Sequence, residues 1–348
     1  MIRIIVDISS PRSLKWGVQI AGMIFKTRSR ACLKKAGEKM NYNKSDLQKI
    51  AQRKTQIKAE DSKSLTSARS VNGVAPDPTA GKEVDLIWDK IACRNVVWAA
   101  SYAMLYTILS SVVYSLLSAS GLKLSGIALQ AASLLVCLAL FGWLAVRRNL
   151  TIRAEQRSVY RYPASFCYLC AVVMCSVACN YLVYLTGLSE ISEGYKRVSQ
   201  IFYGNGLLLE IITLCVIGPV AEELVYRGFV YQHLRKRGSH TAAALLSALL
   251  FGVLHFNLVQ GAYAFVLGLL LAYIVERTGS LISAAAAHMA ANLASVLWTE
   301  TDWLNFLDQG RTRTYIAAVI CMILTGVFIS YGNQWMRHQP VKKSQVKN

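Results

Sequence analysis

Ionisable and amide side chains lie inside three apolar segments of this chain, where a membrane protein rarely tolerates them. These residues are Glu222 and Glu223 with Arg227, then His255, and then His288 with Asn292. A charged group in hydrocarbon is costly unless it faces a cavity and has a partner. Because three separate segments accept this cost, the pattern predicts a polar, water-containing catalytic pocket inside a helical membrane protein.

The two adjacent glutamates cannot do the same task, because neighbouring helix residues point about 100° apart. Glu223 and Arg227 are four residues apart with the acid first, which is the favourable order for a helical ion pair. This pairing leaves Glu222 to face the pocket as a general base. The alternative is that both acids are solvated at the end of a span. Pro219 lacks an N–H and predicts a helix kink just before the acids.

The two histidines complete the pattern. His255 follows Phe251 by four residues, and the alternative for this lone histidine is a core or interfacial position. His288 and Asn292 project from one side of an alanine-rich helix, where helix–helix hydrogen bonding is the alternative. Together, Glu222 and His255 can hold and deprotonate a water, while His288 and Asn292 donate to an oxyanion. This is amide hydrolysis without a covalent enzyme intermediate.

A zinc site is the rival arrangement of the same residues. Glu222, His255 and His288 would be enough ligands for a catalytic zinc with one open position. However, the sequence contains no HExxH helix, so the ligands would have to come from three helices. The metal-free arrangement, with no cofactor, is favoured over the zinc-dependent one, and zinc stays open as an alternative.

Composition favours a membrane protein. The chain has 348 residues, of which 54% are hydrophobic, and its apolar residues fall in blocks of membrane-spanning length. The formal net charge of +19 lies mostly before residue 82 and in short loops. This distribution is typical of contacts with anionic lipid headgroups rather than with nucleic acid. The sequence therefore predicts an all-α, polytopic membrane helical bundle with membrane lipids, and no nucleic acid, as partners.

About eight transmembrane helices are predicted, and the loops between them alternate between rich and poor in Lys and Arg. The predicted spans are Val96–Ala119, Leu124–Val146, Ser165–Thr186, Gly206–Val225, Thr241–Phe256, Gly261–Ile274, Leu281–Trp298 and Tyr315–Trp335. By the positive-inside rule, this alternation places both termini in the cytoplasm. Small residues recur every fourth position at Ala264, Gly268 and Ala272, which predicts close packing of the sixth span. We expect an integral protein of a bacterial plasma membrane.

The order and spacing of the motifs resemble a known family. Glu-Glu-x-x-x-Arg, then Phe-x-x-x-His, then His-x-x-x-Asn are similar to the motifs of the CPBP family. This family contains the type II CAAX prenyl endopeptidases and bacterial relatives linked to bacteriocin processing and self-immunity. The resemblance implies that Glu222 is the catalytic base and that Glu223 and Arg227 support it. It also implies that His255 shares the water and that His288 with Asn292 forms the oxyanion hole.

The resemblance also implies an activity, and composition divides the chain. The activity is that of an intramembrane endopeptidase acting on a membrane-associated peptide, lipidated or of the leader type. A zinc-dependent intramembrane metalloprotease and a non-catalytic immunity or scaffold protein are the alternatives. Residues 83–340 would form the protease domain, with a catalytic core at 206–298. Residues 1–82 would be a basic region, either disordered or lying on the membrane surface, and residues 341–348 a basic cytoplasmic tail.

Overall fold

The computed structural model describes residues 78–150, 161–236, 238–301 and 310–337. The predictions for residues 1–77, for the basic loop at 151–160 and for the tail from residue 338 lie outside these residues. The chain divides into two compact units, of which one is Leu14–Asn95 and the other contains Val96–Asn348. Within the first unit, the described residues 78–95 form the beginning of the first helix.

The described residues form helices and no strands. The helices are α1 (Pro78–Ala119), α2 (Gly126–Arg147), α3 (Arg161–Thr186), α4 (Leu188–Ile191), α5 (Glu193–Phe202), α6 (Leu207–Arg235), α7 (His240–Val253), α8 (Leu258–Thr278), α9 (Leu281–Glu300) and α10 (Arg311–Arg337). Helix α6 contains two π-helical segments, Ile211–Ile217 and Leu224–Tyr231. Since π-helical turns are rare and concentrate at functional sites, α6 is the unusual helix of the fold.

Six of the described helices are long and apolar enough to cross a membrane. They are α1 from Arg94 onward, α2, α3, α8, α9 and α10. A seventh span is possible if α5 and α6, which meet at a bend of 115°, count as one crossing. The predicted all-α, polytopic membrane bundle is therefore confirmed.

Two of the predicted spans differ from the helices observed. The span predicted at Thr241–Phe256 is the 14-residue helix α7, which at 1.5 Å per residue is about 21 Å long. That length is well below the hydrocarbon core of about 30 Å. The span predicted at Gly206–Val225 is only the first part of α6, which continues to Arg235. The eight predicted spans thus become six long helices, one bent pair and one short helix.

Short polar caps explain where α7, α8 and α9 begin. The side chains of Ser239, Asn257 and Ser280 each accept the backbone N–H three residues later, which is the preferred chemistry of a helix N-cap. Gly279, with a φ of 62°, ends α8 in the left-handed conformation. Because these connections are short, α7, α8 and α9 lie beside one another and can bring their polar residues towards α6.

The small residues of α8 allow the close packing that the sequence predicts. Ala264 and Ala272 are fully buried, and Gly268 between them is buried as well. A Cβ atom on Gly268 would lie 3.1 Å from the Cβ of Ala248 on α7 and 3.3 Å from the ring of Phe251. This close approach leaves no room for a larger side chain. It also leaves the Gly268 carbonyl within hydrogen-bonding distance of Arg227 on α6.

Helix α2 packs along α6 and runs in the same direction. Ile127 joins a hydrophobic cluster with Leu214, and Leu134 lies 3.8 Å from the position that a Gly218 Cβ would occupy. Two helical turns further along α2, the ring of Phe141 is 5.5 Å from the ring of Phe229. Successive contact residues on α2, from Ile127 to Phe141, therefore meet successive residues on α6, from Leu214 to Phe229.

A second buried polar group of residues, which we name the hydroxyl cluster, joins α3, α8 and α9. It consists of Ser176, Asn180, Tyr263 and Ser295. The Tyr263 hydroxyl lies 3.0 Å from Ser295 Oγ and also contacts Ser176. Asn180 Nδ2 donates to Ser295 Oγ at 3.2 Å, and Ser176 Oγ donates to the Ala291 carbonyl at 3.2 Å. The cluster holds three helices together through uncharged hydrogen bonds.

Candidate active site

Pro219 and the first π-helical segment of α6 create an attachment point for α9. The Gly218 N–H donates to the Thr213 carbonyl, five residues back. In this register the next N–H would serve the Leu214 carbonyl, but it belongs to Pro219, which has none. Asn292 Nδ2 donates to that carbonyl instead, at 2.7 Å. A π-helical segment thus ends just before Pro219, where the kink is predicted, and the Leu214 carbonyl that it leaves unused accepts from Asn292.

Arg227 is a fully buried cation held by three groups. Its Nη1 donates to Glu223 Oε1 at 2.7 Å, as the four-residue spacing predicts. Its Nη2 donates to the Gly268 carbonyl at 3.3 Å, and its guanidinium carbon lies 4.6 Å from the centre of the Phe251 ring. A buried charge is stable only when its partners compensate for lost hydration. Glu223, Gly268 and Phe251 together provide that compensation.

The ring of His288 lies between the two glutamates. Its Nδ1 is 2.9 Å from Glu223 Oε1, so Glu223 contacts both Arg227 and His288 through one oxygen. Its Nε2 is 3.8 Å from Glu222 Oε2, which is longer than a hydrogen bond. The two acids therefore have different tasks, since Glu223 orients His288 while Glu222 approaches the opposite side of the same ring.

Burial excludes the alternative in which the acids are solvated at a span end. Glu222 is 3% exposed, and Glu223 is not exposed. His288 Nε2, Asn292 Oδ1 and Glu223 Oε2 are also buried, and no group in the described part of the chain forms a hydrogen bond with them. Buried polar atoms normally have a partner, which can be water or a ligand. The site is therefore a buried polar cluster whose hydrogen bonding is incomplete without such a partner.

His255 lies in the turn after α7 rather than on a helix, because α7 ends at Val253. Its Nδ1 is 2.6 Å from the Phe251 carbonyl. A carbonyl can only accept, so Nδ1 carries the proton and Nε2 of the neutral ring is an acceptor. The Phe251 ring centre is 5.1 Å from that of His255 and 5.9 Å from that of His288. Phe251 thus lies between the two histidines, as well as over Arg227.

The residues of the zinc alternative do not group as a metal site. Across the described ranges, no three His, Cys, Asp or Glu side chains are arranged to hold a metal ion. His288 Nδ1 already contacts Glu223, so only its Nε2 could ligate a metal. The set of Glu222, His255 and His288 therefore does not fit zinc in this geometry.

Two contacts of the site were not predicted from the sequence. The Glu223–His288 contact joins residues 65 positions apart, and no periodicity within either segment indicates it. The Leu214 carbonyl is a backbone group, so it has no residue-type signal. Pro219 was the available clue, because a proline within a helix always leaves a carbonyl without its usual donor.

The part of the chain that contains the candidate active site is similar to known proteins. Residues 204–294 match the family described as "Type II CAAX prenyl endopeptidase Rce1-like". The curated "Putative membrane peptidase YdiL" of Bacillus subtilis (strain 168) is 24% identical over 146 residues. That match covers 42% of this chain and 57% of the relative, so it spans little more than half of the relative's length. Residues 9–38 match a family of unknown function, DUF6783. No solved structure matches the chain.

The buried glutamates and histidines of this membrane helical bundle all lie within the segment that matches a peptidase family. Over residues 204–294 the chain is similar to this family. The match begins in the turn before α6 and ends within α9. It therefore contains Glu222, Glu223, Arg227, His255, His288 and Asn292.

Proposed function

We propose that this protein is an intramembrane endopeptidase that cleaves a membrane-associated peptide with a water activated by Glu222. The arrangement of the two acids around His288 is the observation that carries the proposal. Glu223 Oε1 is committed to Arg227 and to His288 Nδ1. Glu222, on the other side of the ring, is the carboxylate positioned to act on a water in the pocket.

The chemistry follows from the donors and acceptors of the site. His255 Nε2 accepts one hydrogen of the water, and Glu222 takes the other proton as the water oxygen attacks the peptide carbonyl carbon. The carbonyl oxygen becomes an oxyanion in the tetrahedral intermediate. Glu222 then returns the proton to the amide nitrogen, the C–N bond breaks, and a carboxylic acid and an amine are released.

His288 and Asn292 stabilise the oxyanion in this proposal. One N–H of the Asn292 amide is used by the Leu214 carbonyl, and the second N–H is the oxyanion donor. His288 Nε2 is a donor when the ring carries both protons, because Nδ1 contacts Glu223. Both groups are fixed by their other hydrogen bond, which holds the donors in place before the substrate binds.

The finer predictions on location and substrate belong to the same proposal. Both termini are cytoplasmic, as the alternating loop charges indicate, in the plasma membrane of a bacterium. The substrate is a membrane peptide of the lipidated or leader type, including those of bacteriocin processing and self-immunity. Labels introduced at Lys123 and at Lys236 should then be accessible from opposite sides of the membrane, and labelling from the same side would contradict this orientation.

The proposed activity can be tested with the full-length protein in liposomes and a library of membrane peptides. Mass spectrometry would compare the products of the wild type, Glu222→Gln and the control Glu193→Gln, which makes the same change at a residue whose side chain is 72% exposed. Cleavage that is lost only in Glu222→Gln supports the proposal. Equal cleavage by both variants contradicts the role of Glu222, and a folded wild type that cleaves no peptide favours the non-catalytic alternative.

A chelator arm of the same experiment tests the zinc alternative. In the proposed mechanism, cleavage continues after exhaustive chelation, and the purified protein needs no bound metal. A one-to-one zinc content that falls in parallel with activity, and that is absent from His288→Ala, would replace the glutamate mechanism with zinc catalysis.

A further inference from the structure

Two buried polar side chains outside the candidate active site are unexplained by the fold. Gln130, on α2, is 3% exposed, and its Nε2 forms no hydrogen bond within the described part of the protein. Thr213, on α6, is fully buried, and its Oγ1 is likewise without a partner among the described groups. Each such atom destabilises the fold when it is left unsatisfied. Neither atom contributes a hydrogen bond to the packing of the described helices.

The packing of α2 on α6 places Gln130 opposite the segment that contains Thr213. Ile127 packs with Leu214, and Leu134 packs at Gly218. Gln130 is one turn from each of these residues on α2, on the face that they share. It therefore faces α6 at a level between Leu214 and Gly218.

Asn292 lies at the same level of the bundle, because its Nδ2 binds the Leu214 carbonyl. The unsatisfied atoms found there are an amide donor on Gln130, a hydroxyl on Thr213 and an amide acceptor, Oδ1, on Asn292. A peptide unit offers one N–H donor and one carbonyl acceptor. The three groups therefore complement the main chain of a peptide, whatever its side chains are.

We infer that Gln130 and Thr213 form a subsite for the substrate main chain, which rests on the proposed peptidase function. Asn292, the proposed oxyanion donor, lies at the level of these two residues. The subsite thus binds a peptide unit close to the bond that is cleaved.

Gln130→Met and Thr213→Val test the subsite because they keep the shape and remove the polar atoms. With a peptide that the wild type cleaves, each variant should lower kcat/KM by about tenfold, mainly through KM, since one hydrogen bond to the substrate is lost. The melting temperature should stay equal or rise by about 2–4 °C, because an unsatisfied buried group is removed.

Thr107→Val is the matched control. Thr107 is also a buried membrane threonine, but its hydroxyl donates to the Ala103 carbonyl of its own helix at 2.9 Å. This variant should keep the kcat/KM of the wild type. Unchanged KM in both Gln130→Met and Thr213→Val would overturn the inference, as would a fall in their melting temperature large enough to indicate a structural role.

An ester scan locates the subsite along the peptide. Replacing one peptide N–H at a time by an ester oxygen should raise KM most at a residue close to the cleaved bond in the wild type. The same replacement should have less effect in Thr213→Val and Gln130→Met. Equal sensitivity of the wild type and both variants at every position would contradict the assignment.

Binding separates failure of the subsite from failure of the proposed function. A dye-labelled Leu/Ala peptide is titrated into Glu222→Gln protein with and without Gln130→Met, and fluorescence anisotropy is measured. Weaker binding in the double variant supports the subsite even if the wild type cleaves no peptide. Equal binding in both proteins overturns the subsite even if the wild type is an active peptidase.

Discussion

Two buried polar clusters share helix α9 but differ in how their hydrogen bonds are satisfied. In the hydroxyl cluster, the hydroxyls of Ser176, Tyr263 and Ser295 all have partners within the described chain, and none is charged. In the candidate active site, less than two turns away along α9, His288 Nε2 and Asn292 Oδ1 have none there. One cluster is complete without a ligand, and the other is not.

The difference suggests separate tasks for the two clusters. The hydroxyl cluster would stabilise the fold, and the candidate active site would bind water or substrate. A fully satisfied network fixes neighbouring helices and gains nothing from a further partner. A network with unsatisfied atoms carries a cost that only water or substrate removes. The charges follow the same division, because the ionisable pair of Glu223 and Arg227 lies in the incomplete cluster. Variants in the two clusters should therefore separate activity from stability.

Glu222→Gln should have the largest effect, because it removes the proposed base while keeping the shape of the side chain. We expect turnover to fall by at least about a thousandfold, with little change in melting temperature. Peptide cleavage in liposomes and thermal unfolding in detergent would measure the two quantities. If a folded Glu222→Gln protein kept full activity, the candidate active site would be no more important for catalysis than the hydroxyl cluster.

Glu223→Gln should mainly lower stability, because it leaves Arg227 buried without its carboxylate. Removing one partner of a buried ion pair costs about 3–5 kcal/mol, which denaturant unfolding would measure. Glu276→Gln is the control, since Glu276 pairs with Arg235 at a site where the two side chains are 30% and 42% exposed. That change should cost no more than about 1 kcal/mol. Equal costs at the two sites would show that the Glu223–Arg227 pair is not buried as described.

Asn292→Ala should lower turnover by about a hundredfold with little change in KM, which is the usual loss for one oxyanion donor. Asn180→Ala in the hydroxyl cluster is the matched control and should keep the turnover of the wild type. Steady-state kinetics of both variants would test the comparison directly. A similar loss of turnover in the two variants would mean that the hydroxyl cluster also belongs to the catalytic site.

Tyr263→Phe should have the smallest effect, because it removes hydroxyl contacts that do not reach the candidate active site. The expected cost is about 1 kcal/mol of unfolding free energy, or a fall in melting temperature of about 2–4 °C. Activity at low temperature should not change. A tenfold loss of turnover without a change in melting temperature would contradict the structural role of the cluster.

Local sequence patterns were enough to predict the helical bundle and the ion pair. The apolar blocks predicted the helices because a membrane-spanning helix needs a long apolar segment. The four-residue spacing predicted the contact between Glu223 and Arg227, because it is fixed by helix geometry. Both predictions depend on residues that are near one another in the chain.

Contacts between distant segments were not predictable in this way. The contact between Glu223 and His288 depends on how α9 packs against α6, and that packing depends on many small residues at once. The sequence placed His255 on a helix, because the apolar pattern continues to Phe256. In the structure α7 ends at Val253, so His255 lies in the turn that follows. Gln130 was missed because a single glutamine in an apolar span carries no spacing pattern. The roles of the site residues in catalysis stay predictions.

The π-helical turn before Pro219 links the pitch of α6 to the hydrogen bond that holds the Asn292 side chain. If this segment tightened to an α-helix, the Gly218 N–H would move from the Thr213 carbonyl to the Leu214 carbonyl. That carbonyl is the acceptor that now holds Asn292. A carbonyl oxygen can accept two hydrogen bonds, so in the tighter pitch Asn292 would share this oxygen atom with the backbone N–H of Gly218. The pitch of α6 therefore affects the position of Asn292 through a backbone carbonyl rather than through a side chain of α6.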